Sequence, residues 1–243
     1  MYTRLGEASL RPTSSLAMRW TLVGLASVLA LVLIIAPRPA GAPGVELGPI
    51  GPADTRRLIT ATTMRVVGFG AGALQSGSGV ACGDGVTVTS RHVVEGSVAV
   101  NVAPHEGPVA LGPVELSGDA DVAVVRTQLQ TGESVRLAEH DPGRGEPVTV
   151  AGYPVGGAAL EMHEARVVDY VEGRYRDERD TVMRVTLNPR PGMSGGPVFD
   201  ASGRLAGLVY ASEGQSGYGL AIPASRLRRV LDGSGDLTTF ACG

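Results

Sequence analysis

The feature that most constrains the fold is a succession of short β-prone runs in the second part of the chain. Twelve such runs, rich in Val, Thr, Ile and Tyr and separated by Gly, Asp, Pro or Asn, extend from MRVVGF (64–69) to YGLAIP (218–223). Many short strands at close spacing are typical of an all-β sandwich or a pair of barrels. The sequence predicts a single helix, SRLRRVL, which follows Pro223 and ends before Gly233. We therefore expect an all-β fold with a short C-terminal helix.

An apolar run sets the amino terminus apart from the rest of the chain. Residues 20–37 hold 18 uncharged side chains between Arg19 and Arg38. As a helix they would span about 27 Å, enough to cross a bilayer. Residues 1–19 carry a positive net charge and are expected in the cytoplasm, which places the rest outside. The alternative is a signal peptide cleaved near Ala42 and a secreted protein. Both interpretations export the main body of the chain.

Proline and glycine mark a linker after the apolar run. Residues 37–53 read PRPAGAPGVELGPIGPA, with five prolines and four glycines and no periodic apolar pattern. Such a composition favours a linker that is part extended and part flexible. We therefore assign residues 38–53 to a linker and residues 54–243 to the main body.

The charged residues exclude several classes of protein. All 21 basic residues are Arg, so the chain lacks the lysine of a phosphate-binding loop, a pyridoxal enzyme, a kinase or a Ser-Lys hydrolase. The net charge is −3, and the positive excess at the amino terminus leaves the main body more acidic than that. An acidic body argues against nucleic acid as a partner. HExxH is absent from the sequence, so we expect no catalytic metal, and we expect no cofactor.

The number and spacing of the cysteines are consistent with an exported protein. Cys82 and Cys242 lie far outside any C-x-x-C metal or redox spacing. In an oxidising compartment they would be able to pair. The bridge would close a loop of about 160 residues and contribute at most ~5 kcal/mol in the chain-entropy model. The alternative interpretation is two unpaired, small apolar side chains.

The motif that carries chemistry is GMSGGP, residues 192–197. A serine acts as a nucleophile only beside a base, an acid that orients the base, and donors for the oxyanion. Glycines allow a sharp turn that aims the N–H groups of Gly192 and Ser194 at one point. The same letters fit the nucleophile elbow of α/β-hydrolases, whose order is Ser, acid, His. All four histidines precede Ser194, so that interpretation fails.

The order His, Asp, Ser remains open. His92 follows the strand run VTVTS, where an imidazole would point from a strand end into a cleft. Asp121 begins the apolar run DVAVVR, which would half-bury its carboxylate and let it fix the imidazole tautomer. Asp119 is a competing acid two residues away, and we prefer Asp121 because it directly precedes the apolar strand. The remaining histidines lack a partner pattern and are expected in solvated loops: His105, His140 and His163.

Four segments together resemble the trypsin-like (chymotrypsin-fold) serine proteases. They are SGSGVACGDGVTVTSRHVV, DADVAVV, PGMSGGPVFDASGRLAGLV and GYGLAIPASRLRRVL, and they lie within residues 60–232. The resemblance is strongest to the HtrA/Deg branch and to related membrane-anchored extracytoplasmic bacterial proteases. It implies two six-stranded antiparallel β-barrels, at about 54–130 and 145–232 of a protease domain over 54–243, with the site in the cleft between them.

The same resemblance implies roles for individual residues. His92 would be the general base, Asp121 the orienting acid and Ser194 the nucleophile, with the N–H groups of Gly192 and Ser194 as the oxyanion hole. Asn188 would form the floor of the specificity pocket, near walls formed by Ser212 and Gly219. A pocket without a carboxylate at its base should not favour Arg or Lys. We expect a small or medium apolar residue before the scissile bond.

Two departures from the family pattern modify these expectations. Met193 stands where zymogen-type relatives have an Asp, which excludes activation by an ion pair with a new amino terminus. Only DGSGDLTTFACG follows the helix, so we do not expect the PDZ domain of HtrA proteases. The predicted function is a serine endopeptidase that acts on exported or misfolded proteins. The alternative is a latent or inactive protease-fold domain that serves as a binding scaffold at the outer face of the membrane.

Overall fold

The computed structural model describes residues 52–70, 73–83, 85–157, 159–176 and 178–232, together with Cys242. The predicted cytoplasmic segment 1–19, the predicted transmembrane helix 20–37 and the linker up to residue 51 lie outside the described residues. Among the helices that the structure does describe, none has the length and apolar character needed to span a bilayer.

The described part of the chain is built almost entirely from β-strands. The first half holds helix α1 (Pro52–Thr62), strands β1 (Thr63–Gly70), β2 (Ala73–Ala81) and β3 (Val86–Thr89), the one-turn helix α2 (Arg91–Val94), and strands β4 (Ser97–Ala103), β5 (Ala110–Gly112), β6 (Val114–Leu116) and β7 (Ala123–Arg126). The second half holds strands β8 (Pro147–Gly152), β9 (Glu161–Glu172), β10 (Thr181–Val185), β11 (Pro197–Phe199), β12 (Leu205–Ser212) and β13 (Gly219–Pro223), then helix α3 (Ala224–Leu231).

Strands β1 to β7 form one antiparallel sheet in the order β5-β4-β1-β2-β3-β7-β6. The two edge strands are successive pieces of one segment, divided by Pro113, which has no backbone N–H for a sheet ladder. The first piece pairs with β4 and the second with β7, so this segment closes the sheet into a barrel. We predicted six strands here, and the seventh arises because Pro113 splits the fifth in chain order.

Strands β8 to β13 form a closed six-stranded barrel in the order β10-β13-β12-β11-β8-β9. The predicted all-β double barrel of the chymotrypsin type is therefore confirmed. Each barrel has its own apolar core, one around Met64 and Val66 and the other around Val150 and Val198. A third core lies between the barrels and joins strands of both, and it includes Phe199 and Tyr210, two of the largest fully buried side chains. This shared core fixes how the barrels face each other.

Two helices flank the barrels, and one of them was not predicted. Helix α3 confirms the predicted C-terminal helix: Leu227, Val230 and Leu231 are buried at the i, i+3, i+4 spacing of one helix face. Helix α1 begins at Pro52, so the last two residues of the predicted linker are helical. Proline suits the first turn of a helix, where its missing N–H has no intrahelical partner.

A disulfide joins Cys82, directly after β2, to Cys242. Both sulfur-bearing side chains are buried in the core between the barrels. The carbonyl of Cys242 accepts a hydrogen bond from the backbone N–H of Leu137 at 3.0 Å. The bond therefore fastens a residue near the end of the chain to the first barrel.

Candidate active site

His92 and Asp121 form a close pair at one side of the cleft. One carboxylate oxygen of Asp121 lies 2.6 Å from His92 Nδ1, and the other accepts the backbone N–H of His92 at 2.9 Å. The carboxylate is 1% exposed, whereas the imidazole is 16% exposed. Because a carboxylate only accepts hydrogen bonds, the pair places the proton on Nδ1 and leaves Nε2 free to accept one. An imidazole in this state is equipped to act as a base.

Local structure explains how these two residues meet. Strand β3 ends at Thr89, and His92 lies in the one-turn helix α2 rather than directly at the strand end that the sequence suggested. The backbone N–H of Arg91 also donates to the carbonyl of Asp121, at 3.2 Å. The competing acid Asp119 has an exposed side chain and does not contact the imidazole.

The other three histidines lie away from this pair. His105 and His140 are exposed, and the His105 ring lies 3.5 Å from the hydroxyl of Tyr153. The expectation that His163 lies in a solvated loop was wrong. It is on β9, and its ring contacts the carboxylate of Glu161 at 3.1 Å. A strand-forming segment twelve residues long places it in the sheet.

Ser194 lies in a turn that two glycines make possible. Gly192 and Gly195 have positive φ angles of 95° and 80°, which non-glycine residues rarely adopt. At Gly195 a Cβ would lie 2.1 Å from the carbonyl oxygen of Ser78 and 2.9 Å from the backbone nitrogen of Ser90. The turn therefore packs directly on β2 and on the segment that leads to His92.

A second close approach links the serine turn to helix α2. A Cβ at Gly77 would lie 2.5 Å from the side chain of Val93 and 2.9 Å from the carbonyl oxygen of Ser194. Val93 directly follows His92. The helix that carries His92 and the serine turn therefore both pack against Gly77. The structure thus joins His92 to Asp121 by hydrogen bonds and places the serine turn close to the residue that follows His92.

Hydrogen bonds orient the two peptide groups that carry the N–H groups of Gly192 and Ser194. The carbonyl of Pro191 accepts the N–H of Val155 at 2.8 Å, and the carbonyl of Met193 accepts the N–H of Gly196 at 2.9 Å. In a planar trans peptide the N–H points opposite to the C=O. The N–H groups of Gly192 and Ser194 therefore point away from these partners. Neither N–H donates a hydrogen bond within the part of the chain that the structure describes.

The three residues predicted for the specificity pocket also lie together. The hydroxyl of Ser212 donates to Oδ1 of Asn188, and Ser212 faces Gly219 across strands β12 and β13. A Cβ at Gly219 would lie 2.6 Å from the carbonyl oxygen of Leu187. The amide of Asn188 and the hydroxyl of Ser212 therefore lie close together beside the 187–189 segment, and the Asn188 side chain is exposed.

An ion-pair network lies beside these pocket residues. Arg184 on β10 bonds both carboxylate oxygens of Asp169, at 2.6 and 2.8 Å, and contacts Glu213 at 3.4 Å. The hydrogen bond from Arg184 is the main cause that lowers the pKa of Asp169. The guanidinium also lies over the ring of Tyr218, 5.2 Å from its centroid. Because Glu213 follows Ser212 in the chain, this network joins the end of β12 to β10 within the second barrel.

Three buried polar residues at the site were not predicted. Ser78 and Thr89 are fully buried and hydrogen-bonded to each other, with the Thr89 hydroxyl 2.6 Å from the Ser78 carbonyl. The hydroxyl of Ser90 donates to the carbonyl of Val209 at 3.1 Å. No sequence pattern marked these residues, because a serine or threonine in a β-prone run can face either water or the core. Across the described residues, no cluster of His, Cys, Asp and Glu is arranged to hold a metal ion.

A cleft between two barrels, with a His-Asp pair on one side and a serine turn on the other, defines the class of chymotrypsin-like proteins. Residues 77–208 match the family described as the trypsin-like peptidase domain. The chain belongs to this family. The matched range contains His92, Asp121 and Ser194, whereas Ser212 and Gly219 lie beyond it.

Comparisons with individual proteins agree with the family. The chain is 28% identical over 181 residues to "Protease Do-like 2, chloroplastic" of Arabidopsis thaliana, covering 69% of this chain and 30% of that protein. It is 32% identical over 161 residues to "Probable periplasmic serine endoprotease DegP-like" of Brucella suis, covering 61% of this chain and 30% of that protein. The chain thus spans about a third of the length of these relatives.

A solved structure shows the same fold. The active form of the Rv3671c protease from M. tuberculosis superposes with a TM-score of 0.65 at 19% identity, covering 86% of this chain and 98% of the other. At this level of identity the likeness concerns the fold. The expected resemblance to HtrA-type serine proteases is thereby confirmed at the level of family and architecture.

Proposed function

We propose that the chain is a serine endopeptidase of the HtrA/Deg type. The observation that carries the proposal is the double contact of the buried Asp121 carboxylate with His92, next to a serine turn that packs on β2 and on the segment that leads to His92. In this proposal His92 is the general base, Asp121 orients it and Ser194 is the nucleophile. The N–H groups of Gly192 and Ser194 form the oxyanion hole.

The steps of acylation follow from which of these groups accept a proton and which donate one. His92 Nε2 takes the proton of the Ser194 hydroxyl while Oγ attacks the carbonyl carbon of the scissile peptide bond. The carbonyl π electrons move onto oxygen, and the oxyanion accepts hydrogen bonds from the N–H groups of Gly192 and Ser194. The C–N bond then breaks, and the amine leaves with the proton held on Nε2. The product is an ester between Ser194 and the acyl half of the substrate.

Hydrolysis of this ester repeats the same steps with water. His92 Nε2 takes a proton from water, whose oxygen attacks the ester carbonyl, and the proton passes to Oγ of Ser194 as the acid leaves. Asp121 stabilises the imidazolium at both stages, because its buried carboxylate accepts the Nδ1 proton at 2.6 Å. The enzyme returns to its starting protonation state.

The pocket residues favour a small or medium apolar side chain before the scissile bond. Asn188 and Ser212 bond to each other, and neither side chain carries the negative charge that would attract an incoming cation. Gly219 lies against the 187–189 segment, which limits the depth of the pocket. Cleavage after Arg or Lys is therefore disfavoured.

We further propose that the protease domain acts outside the cytoplasm on exported or misfolded proteins. The supporting observations are the apolar residues 20–37, the positive charge of residues 1–19 and the disulfide between Cys82 and Cys242. A relative is named as periplasmic. In this arrangement residues 20–37 anchor the chain, residues 38–53 link it and residues 54–243 form the protease domain. Cleavage near Ala42 would instead release the same domain.

The alternative function is a latent protease-fold domain that binds proteins without cleaving them. Within the described residues the hydroxyl of Ser194 makes no hydrogen bond to His92, an arrangement that a latent domain shares with an active protease free of substrate. The two functions differ in one measurable property, the reactivity of Ser194.

Labelling of the full-length chain in detergent with a fluorophosphonate probe tests the proposal. The probe reacts with an activated serine, so wild type should be labelled and Ser194→Ala should not. His92→Ala should also abolish labelling, since the base is removed. Absence of labelling in folded, oxidised wild type would overturn the enzyme proposal and favour the scaffold. Equal labelling of wild type and Ser194→Ala would overturn the assignment of the nucleophile.

A further inference from the structure

We propose that Ser78 is a positioning residue. Its buried hydroxyl holds the peptide between Gly192 and Met193, and with it the oxyanion donors on either side, the N–H groups of Gly192 and Ser194. This inference rests on the proposed function, because it concerns the same site. Ser78 is fully buried on β2 in the first barrel, whereas the serine turn belongs to the second barrel. Its side chain therefore acts across the cleft.

Every polar group of Ser78 is bonded to a different part of the site. The hydroxyl donates to the carbonyl of Gly192 at 2.8 Å and accepts the N–H of Tyr153 at 2.8 Å. The backbone N–H donates to the carbonyl of Ser194 at 2.8 Å. The backbone carbonyl accepts the hydroxyl of Thr89 at 2.6 Å. One residue thus joins the serine turn, the end of β8 and the segment that precedes His92.

The hydroxyl controls the peptide that follows Gly192. In this peptide the carbonyl is held by Ser78 and the N–H of Met193 is held by the carbonyl of Arg190 at 3.0 Å. Gly192 itself has no Cβ to restrict rotation, so these two bonds fix its conformation. Without the hydroxyl, the carbonyl of Gly192 would lose its hydrogen bond and the peptide would be free to turn.

The hydroxyl also supports the peptide that precedes Gly192. Tyr153 begins the segment whose Val155 N–H binds the carbonyl of Pro191. That bond directs the N–H of Gly192 toward the cleft. Gly192 packs closely on this segment, since a Cβ there would lie 2.5 Å from the nitrogen of Val155. Loss of the bond from Tyr153 to Ser78 would loosen both sides of the oxyanion donor at once.

Ser78→Ala in the full-length chain tests this role, with Thr62→Val as the matched control. Thr62 is equally buried, and its hydroxyl donates to the carbonyl of Leu58 at 2.7 Å, away from the serine turn. Fluorophosphonate inactivation should show a maximal rate constant lowered about 10- to 100-fold in Ser78→Ala, as expected for a displaced oxyanion donor. The half-saturating probe concentration should change less than about two-fold, because ground-state binding does not use the oxyanion hole.

A second measurement does not depend on activity. Hydrogen–deuterium exchange at the amide of Met193, followed by mass spectrometry, should accelerate about five-fold in Ser78→Ala, in keeping with the loss of one hydrogen bond. Thr62→Val should lower the melting temperature and leave both the inactivation rate and this exchange rate unchanged.

Several outcomes would overturn the inference. The first is a folded Ser78→Ala variant that is inactivated as fast as wild type. The second is a loss of inactivation rate in Thr62→Val as large as that in Ser78→Ala. The third is an amide exchange rate at Met193 that Ser78→Ala does not change. If Ser78→Ala does not fold, Ser78→Cys replaces it; its thiol is a weak donor, and a folded Ser78→Cys with the wild-type rate would equally contradict the role. If wild type is not labelled at all, the proposed function fails, and the exchange measurement alone decides the role of Ser78.

Discussion

Asp121→Asn tests the geometry of the His-Asp pair, because the two contacts of the carboxylate determine how the amide must be oriented. The backbone N–H of His92 needs an acceptor at 2.9 Å, so the amide oxygen should take that position. The amide NH2 group then faces Nδ1, 2.6 Å away in wild type. A donor at this place favours the tautomer with the proton on Nε2, which cannot accept a proton from Ser194.

The expected effect is large on catalysis and small on stability. A wrong tautomer with intact geometry lowers kcat about 10⁴-fold, which corresponds to ~5.4 kcal/mol of activation free energy. The opposite amide orientation would set two donors against each other in a site that is 1% exposed, at a cost of about 1–3 kcal/mol for the unsatisfied group. The assay is the rate of fluorophosphonate labelling at neutral pH, alongside thermal unfolding.

Asp119→Asn is the matched control, because Asp119 lies two residues away with an exposed side chain. It should label at the wild-type rate. The reasoning is refuted if Asp121→Asn labels within ten-fold of wild type, or if Asp119→Asn loses as much activity.

Four other perturbations have defined outcomes. Gly195→Ala should abolish labelling and destabilise the fold by about 2–4 kcal/mol in chemical denaturation, because its φ is 80° and its Cβ would meet the Ser78 carbonyl at 2.1 Å. Reduction of the disulfide should lower the free energy of unfolding in urea by at most ~5 kcal/mol, since the bond closes a long loop. Asn188→Asp should raise kcat/KM for peptides with Arg or Lys before the scissile bond by about ten-fold or more, because a carboxylate at the pocket base attracts a cation. Burial raises the pKa of Tyr210 above its ordinary value of 10.0. The stability that the protonated Tyr210 contributes is therefore complete below pH 10 and is lost as the pH rises further. Tyr210→Phe should remove that part of the alkaline destabilisation seen by circular dichroism.

Each of these predictions has an internal control. Gly214 has a positive φ of 64° with open space around it, so Gly214→Ala should show strain without the loss of labelling expected at Gly195. A double Cys82→Ser, Cys242→Ser variant should be insensitive to reductant. Asn188→Asp would contradict the pocket assignment if peptides with apolar residues remained preferred by the same ratio. A Tyr210→Phe variant with the alkaline profile of wild type would contradict the assignment to that side chain.

The fold was largely predictable because its strands alternate strongly and are separated by turn residues. Helix α3 was predictable for a similar reason, since Leu227, Val230 and Leu231 repeat with helical spacing after Pro223. Helix α1 was not, because its sequence PADTRRLITAT has a weak apolar stripe and adjoins a Pro-rich segment. Its helical state depends on packing of Ile59 into the core between the barrels, which is tertiary information.

The strand count failed at a single residue. Pro113 was included in one long β-prone run, although proline cannot donate to a sheet ladder. The sequence does not show that the piece before Pro113 pairs with β4 and the piece after it pairs with β7, at opposite edges of the same sheet. That pairing is a long-range property, as is the placement of His163 on β9.

The candidate site shows the same division between local and long-range information. His92, Asp121 and the serine turn were found because each occupies a short motif. Ser78 was missed because a buried serine in a strand has no pattern of its own, and its importance appears only when β2 meets the turn at Gly192. Residues that bond across the two barrels leave little trace in any one segment.

This arrangement implies that the site depends on how the two barrels pack together, because neither barrel alone contains all of it. The first barrel supplies His92 and Asp121, and the second supplies Ser194 and its oxyanion donors. Ser78 joins them through its hydroxyl and its backbone N–H, both 2.8 Å from their acceptors in the serine turn. Because hydrogen bonds and close-packed glycines tolerate little displacement, a small shift between the barrels would separate the base from the nucleophile while leaving each barrel folded. The apolar core between the barrels is therefore as much a requirement for the proposed catalysis as for stability.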